Sequence, residues 1–328
     1  MTAPVRTLLA TAIVSLALGA CGGGNDGGST AAVASATPVT STTMPAATTT
    51  STTVPGDPAP VTSTPVTTAP VATPPVTTGP VTTAPAVAWA PAVADTWQWQ
   101  LTGTVNTSYA VNVYDIDLFD TPVTTIAALQ SSGKKVICYF SAGSSENWRT
   151  DFSSFQAADM GNALDGWAGE RWLDTGSSNV RAIMQKRLDL AKSKGCDGVE
   201  PDNVDGYQNT SGFALTAATQ LDYNRFLATE AHARGLVVAL KNDVDQLADL
   251  ASSFDVAVNE ECHQYNECAG YSVFVNAGKP VFNAEYDAAY KTAGAARTAL
   301  CASAKQMGLR TLVLAEDLDD SFRFSCDQ

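Results

Sequence analysis

From Trp97 onward the chain alternates short apolar runs with helix-length segments, and this alternation constrains the fold more than any other feature. Eight runs have the length of strands: 97–101, 111–117, 135–140, 198–202, 236–241, 255–259, 280–285 and 311–316. Most are rich in Val, Ile and Leu at consecutive positions, the pattern of strands buried on both faces. Between them, the segments 179–194, 219–234 and 288–307 read as helices, and each is followed by a glycine (Gly195, Gly235, Gly308) suited to a left-handed cap. Eight βα units in residues 96–328 predict an α/β fold, a (β/α)8 TIM barrel. An open doubly wound sheet is the competing arrangement. No Gly-x-Gly-x-x-Gly follows the first strand, so a dinucleotide fold has no support.

Upstream of residue 96 the composition cannot build a core. Of the 16 prolines, 12 lie between Pro38 and Pro91, and Pro-Val-Thr-Thr recurs at Pro65, Pro75 and Pro80. Residues 21–95 are predicted to form a disordered, extended stalk, at about 3.1 Å per residue where polyproline II forms. Residues 1–20 read as an export signal: Arg6 is the positive end, and the apolar run from Leu8 to Ala20 is too short to span a bilayer. The run ends Leu18-Gly19-Ala20-Cys21, which resembles the lipobox of bacterial lipoproteins. That resemblance implies cleavage before Cys21 and a lipidated Cys21 as membrane anchor. Simple secretion is the alternative.

Removing Cys21 leaves an even set of six cysteines, as expected of a disulfide framework outside the cytoplasm. Cys262–Cys268 is a plausible short closure and Cys301–Cys326 a tie for the C-terminal segment, which leaves Cys138–Cys196. The segment 96–328 holds 18 basic and 30 acidic residues, a poor surface for nucleic acid. With His232 and His263 as the only histidines, a three-histidine zinc site is excluded, and no metal or cofactor is expected.

Barrel chemistry belongs at the C-terminal ends of the strands. Those ends carry Asp115 and Asp117, Tyr139 and Ser141, Glu200 and Asp202, Lys241 with Asn242 and Asp243, Asn259 with Glu260 and Glu261, Glu285 with Tyr286, and Glu316 with Asp317. Such a ring disfavours Ser-His-Asp and Cys-His catalysis and suits glycoside hydrolysis, which needs two carboxyl groups across a sugar bond. The densest stretch is Glu200-Pro201-Asp202-Asn203-Val204-Asp205-Gly206-Tyr207, where alternation turns Glu200 and Asp202 the same way. Trp148, Trp167 and Trp172, in the long segment after the third strand, either stack on sugars or bury apolar area.

At these residues the domain resembles the endo-α-1,4-polygalactosaminidases, glycoside hydrolase family 114. The matching stretches run in order from Tyr114-Asp115-Ile116-Asp117 through Cys138-Tyr139-Phe140-Ser141-Ala142-Gly143, Gly169-Glu170-Arg171-Trp172-Leu173-Asp174 and Glu200 to Tyr207. They continue with Leu240-Lys241-Asn242-Asp243, Asn259-Glu260-Glu261-Cys262 and Glu285-Tyr286. The resemblance implies a barrel that cleaves α-1,4-linked galactosamine polymers with a carboxylate pair, Asp202 and Glu260. Asp202 is expected as nucleophile and Glu260 as general acid/base. Expected substrate contacts are Asp117, Tyr139, Glu200, Asn203, Asp205, Tyr207, Lys241, Asn242, Asn259, Glu285 and Tyr286. The partner is then a cationic galactosamine-containing polysaccharide, drawn by the acidic domain. The alternative is a carbohydrate-binding surface lipoprotein without catalysis.

Overall fold

The structure, a computed structural model, describes residues 89–327. The expected signal segment, Cys21 and the stalk as far as residue 88 lie outside the described residues. In chain order the strands are β1 Trp97–Gln100, β2 Val113–Asp117, β3 Lys135–Ser141, β4 Ser144–Glu146, β5 Met160–Ala163, β6 Glu170–Leu173, β7 Gly198–Asp202, β8 Val237–Lys241, β9 Val256–Glu260, β10 Val281–Glu285, β11 Arg310–Leu314 and β12 Arg323–Ser325. The helices are α1 Val123–Ser131, α2 Ser178–Lys194, α3 Ala217–Ala233, α4 Leu247–Leu250, α5 Cys262–Tyr265, α6 Ser272–Asn276, α7 Ala288–Lys291 and α8 Ala295–Met307.

β1, β2, β3, β7, β8, β9, β10 and β11 pair in that order, each pair parallel, and β12 adds antiparallel to β11. The sheet curls through about 306°, and its two ends meet at a seam. There Arg323 Nη2 donates to the Trp97 carbonyl (3.0 Å), Trp97 Nε1 donates to the Arg310 carbonyl (2.8 Å), and Arg323 Nε reaches Gln98 Oε1. The architecture is the expected (β/α)8 barrel, with a ninth strand at the seam that the sequence pattern did not reveal.

Alternation along each strand separates two cores. Trp97, Trp99, Val113, Ile137, Val237, Ala239, Val256, Val258, Phe282, Ala284, Leu312 and Leu314 fill the barrel. The intervening residues, such as Tyr114, Cys138, Val199, Leu240 and Ala257, pack outward against the helices. α2 starts where Ser177 Oγ accepts from the amides of Asn179 and Val180 and ends on left-handed Gly195. The expected helix 288–307 is two helices, α7 and α8. Thr292 is extended and Gly294 is the N-cap of α8, so the chain breaks between them.

The three expected disulfides all form, with Cα separations of 6.1 Å for Cys138–Cys196, 4.8 Å for Cys262–Cys268 and 5.0 Å for Cys301–Cys326. They fit an oxidising compartment outside the cytoplasm. Among the described residues no helix is long and apolar enough to cross a membrane. Residues 89–95, grouped with the stalk by composition, touch the domain: Trp89 packs against the barrel core and the Val93 carbonyl accepts from Arg310 Nε (2.6 Å).

Candidate active site

The inward-facing series that fills the barrel with Val, Ala and Phe changes to polar residues at the C-terminal end. Continuing each strand by twos places Asp115 on β2, Tyr139 on β3, Glu200 and Asp202 on β7, Lys241 on β8, Glu260 on β9 and Tyr286 just past β10. Lys241 is the hub of this layer and is buried, 3% exposed in its side chain. Its Nζ lies 2.8 Å from Glu260 Oε2, 3.1 Å from Asp202 Oδ1 and 4.0 Å from Glu200 Oε1. Beneath it, the Trp99 ring centroid is 5.1 Å away, a cation–π contact.

Each of the two outer carboxylates has further donors. Asp202 Oδ2 accepts from Tyr139 OH (2.9 Å), and Asp202 Oδ1 accepts from the Asn203 amide (2.6 Å). Glu260 Oε1 accepts from Tyr286 OH (2.5 Å), and its backbone amide is held by Asn242 Oδ1 (3.0 Å). Burial, reinforced by Asp202, drives the Tyr139 hydroxyl well above its ordinary pKa. Burial and Glu260 do the same to Tyr286, so both phenols remain donors. Asp202 and Glu260 are the most open of its carboxylates, with side chains 16% and 29% exposed.

The backbone around the pair is tightly specified. Asn203, Asn242 and Glu261 all adopt left-handed conformations (φ +60°, +47° and +61°), which turn the chain away from the strand ends. Gly143 donates its amide to the Asp202 carbonyl (3.0 Å), and a Cβ there would sit 1.7 Å from the Asn203 carbonyl oxygen. Asn203 Nδ2 donates to Ser141 Oγ (2.9 Å), which pairs with Ser144 Oγ at 2.6 Å.

Several residues expected to touch substrate lie elsewhere. Asp117 is sealed against Arg149 (2.6 Å), which also bonds Glu146 (2.8 Å). Asn259 and Glu285 have the opposite strand parity and face the helix layer. Asn259 bonds Tyr271 OH and the Cys262 amide, and Glu285 Oε1 accepts from the His263 amide. Glu200 faces inward but has no exposure, one layer below the mouth. Asn242 acts on the Glu260 backbone. Asp205 and Tyr207 border Asp243, whose carboxyl is pushed up to about 8, first by burial and then by Asp205. Glu261 is raised to about 7 by burial and by Glu260.

Of the three tryptophans, Trp172 is buried, whereas Trp148 and Trp167 stand half-exposed beside the small β4–β6–β5 sheet. Sequence reasoning missed Trp99 as the floor under Lys241, although its place two residues after Trp97 on a buried strand is the signal. Among the described residues, the candidate metal-ligand cluster is Cys262, His263 and Cys268, and the disulfide engages both of its sulfurs.

A barrel whose open end holds two partly exposed carboxylates on a shared ammonium, flanked by phenols and amides, has the chemistry of a glycoside hydrolase. The chain belongs to glycoside-hydrolase family GH114, whose sequence profile matches residues 78–328. Among solved structures it resembles Aspergillus fumigatus Ega3 in complex with galactosamine, with 45% identity and a TM-score of 0.70 over 74% of this chain and 99% of that one. The glycoside hydrolase domain of PelA from Pseudomonas aeruginosa shares the fold at 15% identity and a TM-score of 0.55, covering 70% of this chain and 98% of that one. An uncharacterized protein of Deinococcus radiodurans is 27% identical over 229 residues, 60% of this chain and 74% of its own length.

Proposed function

We propose that this glycoside hydrolase cleaves α-1,4-linked galactosamine polymers within the chain, with Asp202 as nucleophile and Glu260 as general acid/base. The carrying observation is the shared lysine. Asp202 Oδ1 and Glu260 Oε2 sit on Lys241 Nζ at 3.1 and 2.8 Å, so they are no more than about 6 Å apart. An approach this close of their nearest oxygens is compatible with the roughly 5–5.5 Å carboxyl separation of retaining enzymes. Asp202 and Glu260 alike are held by donors, so the division of roles rests on exposure, with the less open Asp202 facing the anomeric carbon. Glu260, on the more open side, is placed to protonate the leaving oxygen and then to activate water.

The substrate class rests on likeness to a relative bound to galactosamine and on charge. Ammonium groups of a de-N-acetylated polymer would meet a mouth that opens on the carboxylates of Asp202 and Glu260. On this reading the chain is exported, Cys21 carries the lipid anchor, and the stalk ahead of Trp89 spaces the domain from the membrane.

Asp202→Asn and Glu260→Gln keep shape and remove the acid chemistry. Each should lower kcat on de-N-acetylated galactosamine oligomers by at least about a thousandfold while oligomer binding persists. NMR of the first-formed anomer should show retention. Near-normal turnover in either variant would overturn the pair.

A further inference from the structure

Two buried acids beneath the site have no place in the reaction just described. Asp115 on β2 and Glu200 on β7 both face the barrel interior, on either side of β3, and neither has any solvent exposure. None of their four carboxylate oxygens meets a hydrogen-bond donor among the described residues. The layer around them offers Tyr139 from β3, Asp202 from β7, Lys241 from β8, Glu260 from β9 and Tyr286 from beyond β10, with Trp99 from β1 and Leu314 from β11 adding no charge. Lys241 is the cation of this layer, 4.0 Å from Glu200 Oε1, and it is already engaged at shorter range by Asp202 and Glu260.

Four carboxyl groups around one ammonium cannot all be ionised in a dry interior. The outer two have donors and some solvent; the inner two have neither. A proton on the inner pair gives one carboxyl a donor and the other an acceptor. Resting on the assignment of Asp202 and Glu260 as the catalytic pair, we infer that Asp115 and Glu200 share a proton beneath Lys241, act as positioning residues that leave the lysine free to hold both catalytic carboxylates, and draw it inward when that proton is lost. Burial above all, then Asp115, holds Glu200 well above the usual carboxylate range. Burial likewise lifts Asp115 to about 7. Loss of the shared proton therefore takes the pair from a single to a double negative charge on the alkaline side of neutrality, where Lys241 gains a stronger competing partner.

The test is Asp115→Asn/Glu200→Gln, a pair that stays neutral at every pH. The alkaline limb of its kcat profile should move up by about one pH unit or more relative to wild type. Titration of substrate amines is common to both proteins and cancels in the comparison. A purely structural role would lower kcat without moving the limb, and superimposable profiles would overturn the inference.

A second readout needs no substrate and no correct catalytic assignment. Carbon-13 titration of labelled wild-type protein should show two carboxyl signals moving together above pH 6 that are missing from the double variant. If both signals instead titrate independently near pH 4, the shared proton is refuted, whatever becomes of Asp202 and Glu260.

Discussion

At the scale of single residues, side-chain parity decides which acids face the barrel mouth. Asp202 and Glu260 are legible from the sequence because each continues an inward series by twos. Glu285 and Asn259 stand just as close to strand ends but one position out of phase, and they brace α5 instead. Proximity to a strand end, without its phase, therefore overcounts the site. Gly143→Ala should be disproportionately harmful for its size, because the new methyl meets the Asn203 backbone oxygen at 1.7 Å. Displacing the turn that carries Asp202 should lower kcat by up to about a hundredfold and reduce Tm. Asp243 offers a pH test. Its acid is protonated in the fold up to about 8 but ionises near 3.8 when unfolded. The native state therefore binds the extra proton, and stability falls as pH rises from about 4 to 8. Asp243→Asn removes that fall, so its Tm relative to wild type should rise between pH 4 and pH 8. A pH-independent difference would contradict the assignment.

At the scale of elements, the eight parallel strands were readable because each is a run of apolar residues. The β4–β6–β5 sheet was not. Its strands are three or four residues long and largely polar, so they give no periodic apolar signal; β12, with Arg323, Phe324 and Ser325, is equally quiet. The small sheet is tied to the barrel by charge as well as by the burial of Leu173. Arg149 bonds Asp117 on β2 and Glu146 on β4, both nearly without exposure. Arg149→Ala removes the cation shared by two buried carboxylates, leaving Glu146 to Arg187 at 3.7 Å and Asp117 to the amides of Phe119 and Asp120, and should destabilise the domain by about 3 kcal/mol. Chemical denaturation would measure it. Replacing exposed Trp148 by Ala should cost far less.

At the scale of the whole molecule, the excess of 30 acidic over 18 basic residues in 96–328 becomes a statement about encounter. Raising salt shortens the reach of the acidic mouth to about 8 Å at physiological ionic strength. kcat/KM on a cationic polymer should therefore decline as salt increases, and a flat salt profile would remove steering from the account. The disulfides add a second molecular property. Cys138–Cys196 closes a loop of 58 residues, and chain entropy alone assigns such a link about 4 kcal/mol. Cys138→Ser/Cys196→Ser should lower Tm by more than removal of the six-residue Cys262–Cys268 link.

The seam has a consequence for how such a protein comes into being. Arg323 meets Trp97 and Gln98 across 226 and 225 positions of sequence, and Cys326 is then bonded to Cys301. The ring therefore closes through its most distant contacts, which are the slowest to form. A chain threading out of a translocation channel cannot close it until β12 has emerged. Until then β1 and β11 are open edges, able to pair with another strand. Under the proposed export, passage across a membrane would proceed with an incomplete ring, and thiol oxidation on the far side would fasten it. The same ordering makes residues 323–326 the point where a folding helper or an oxidant would control the yield of active enzyme.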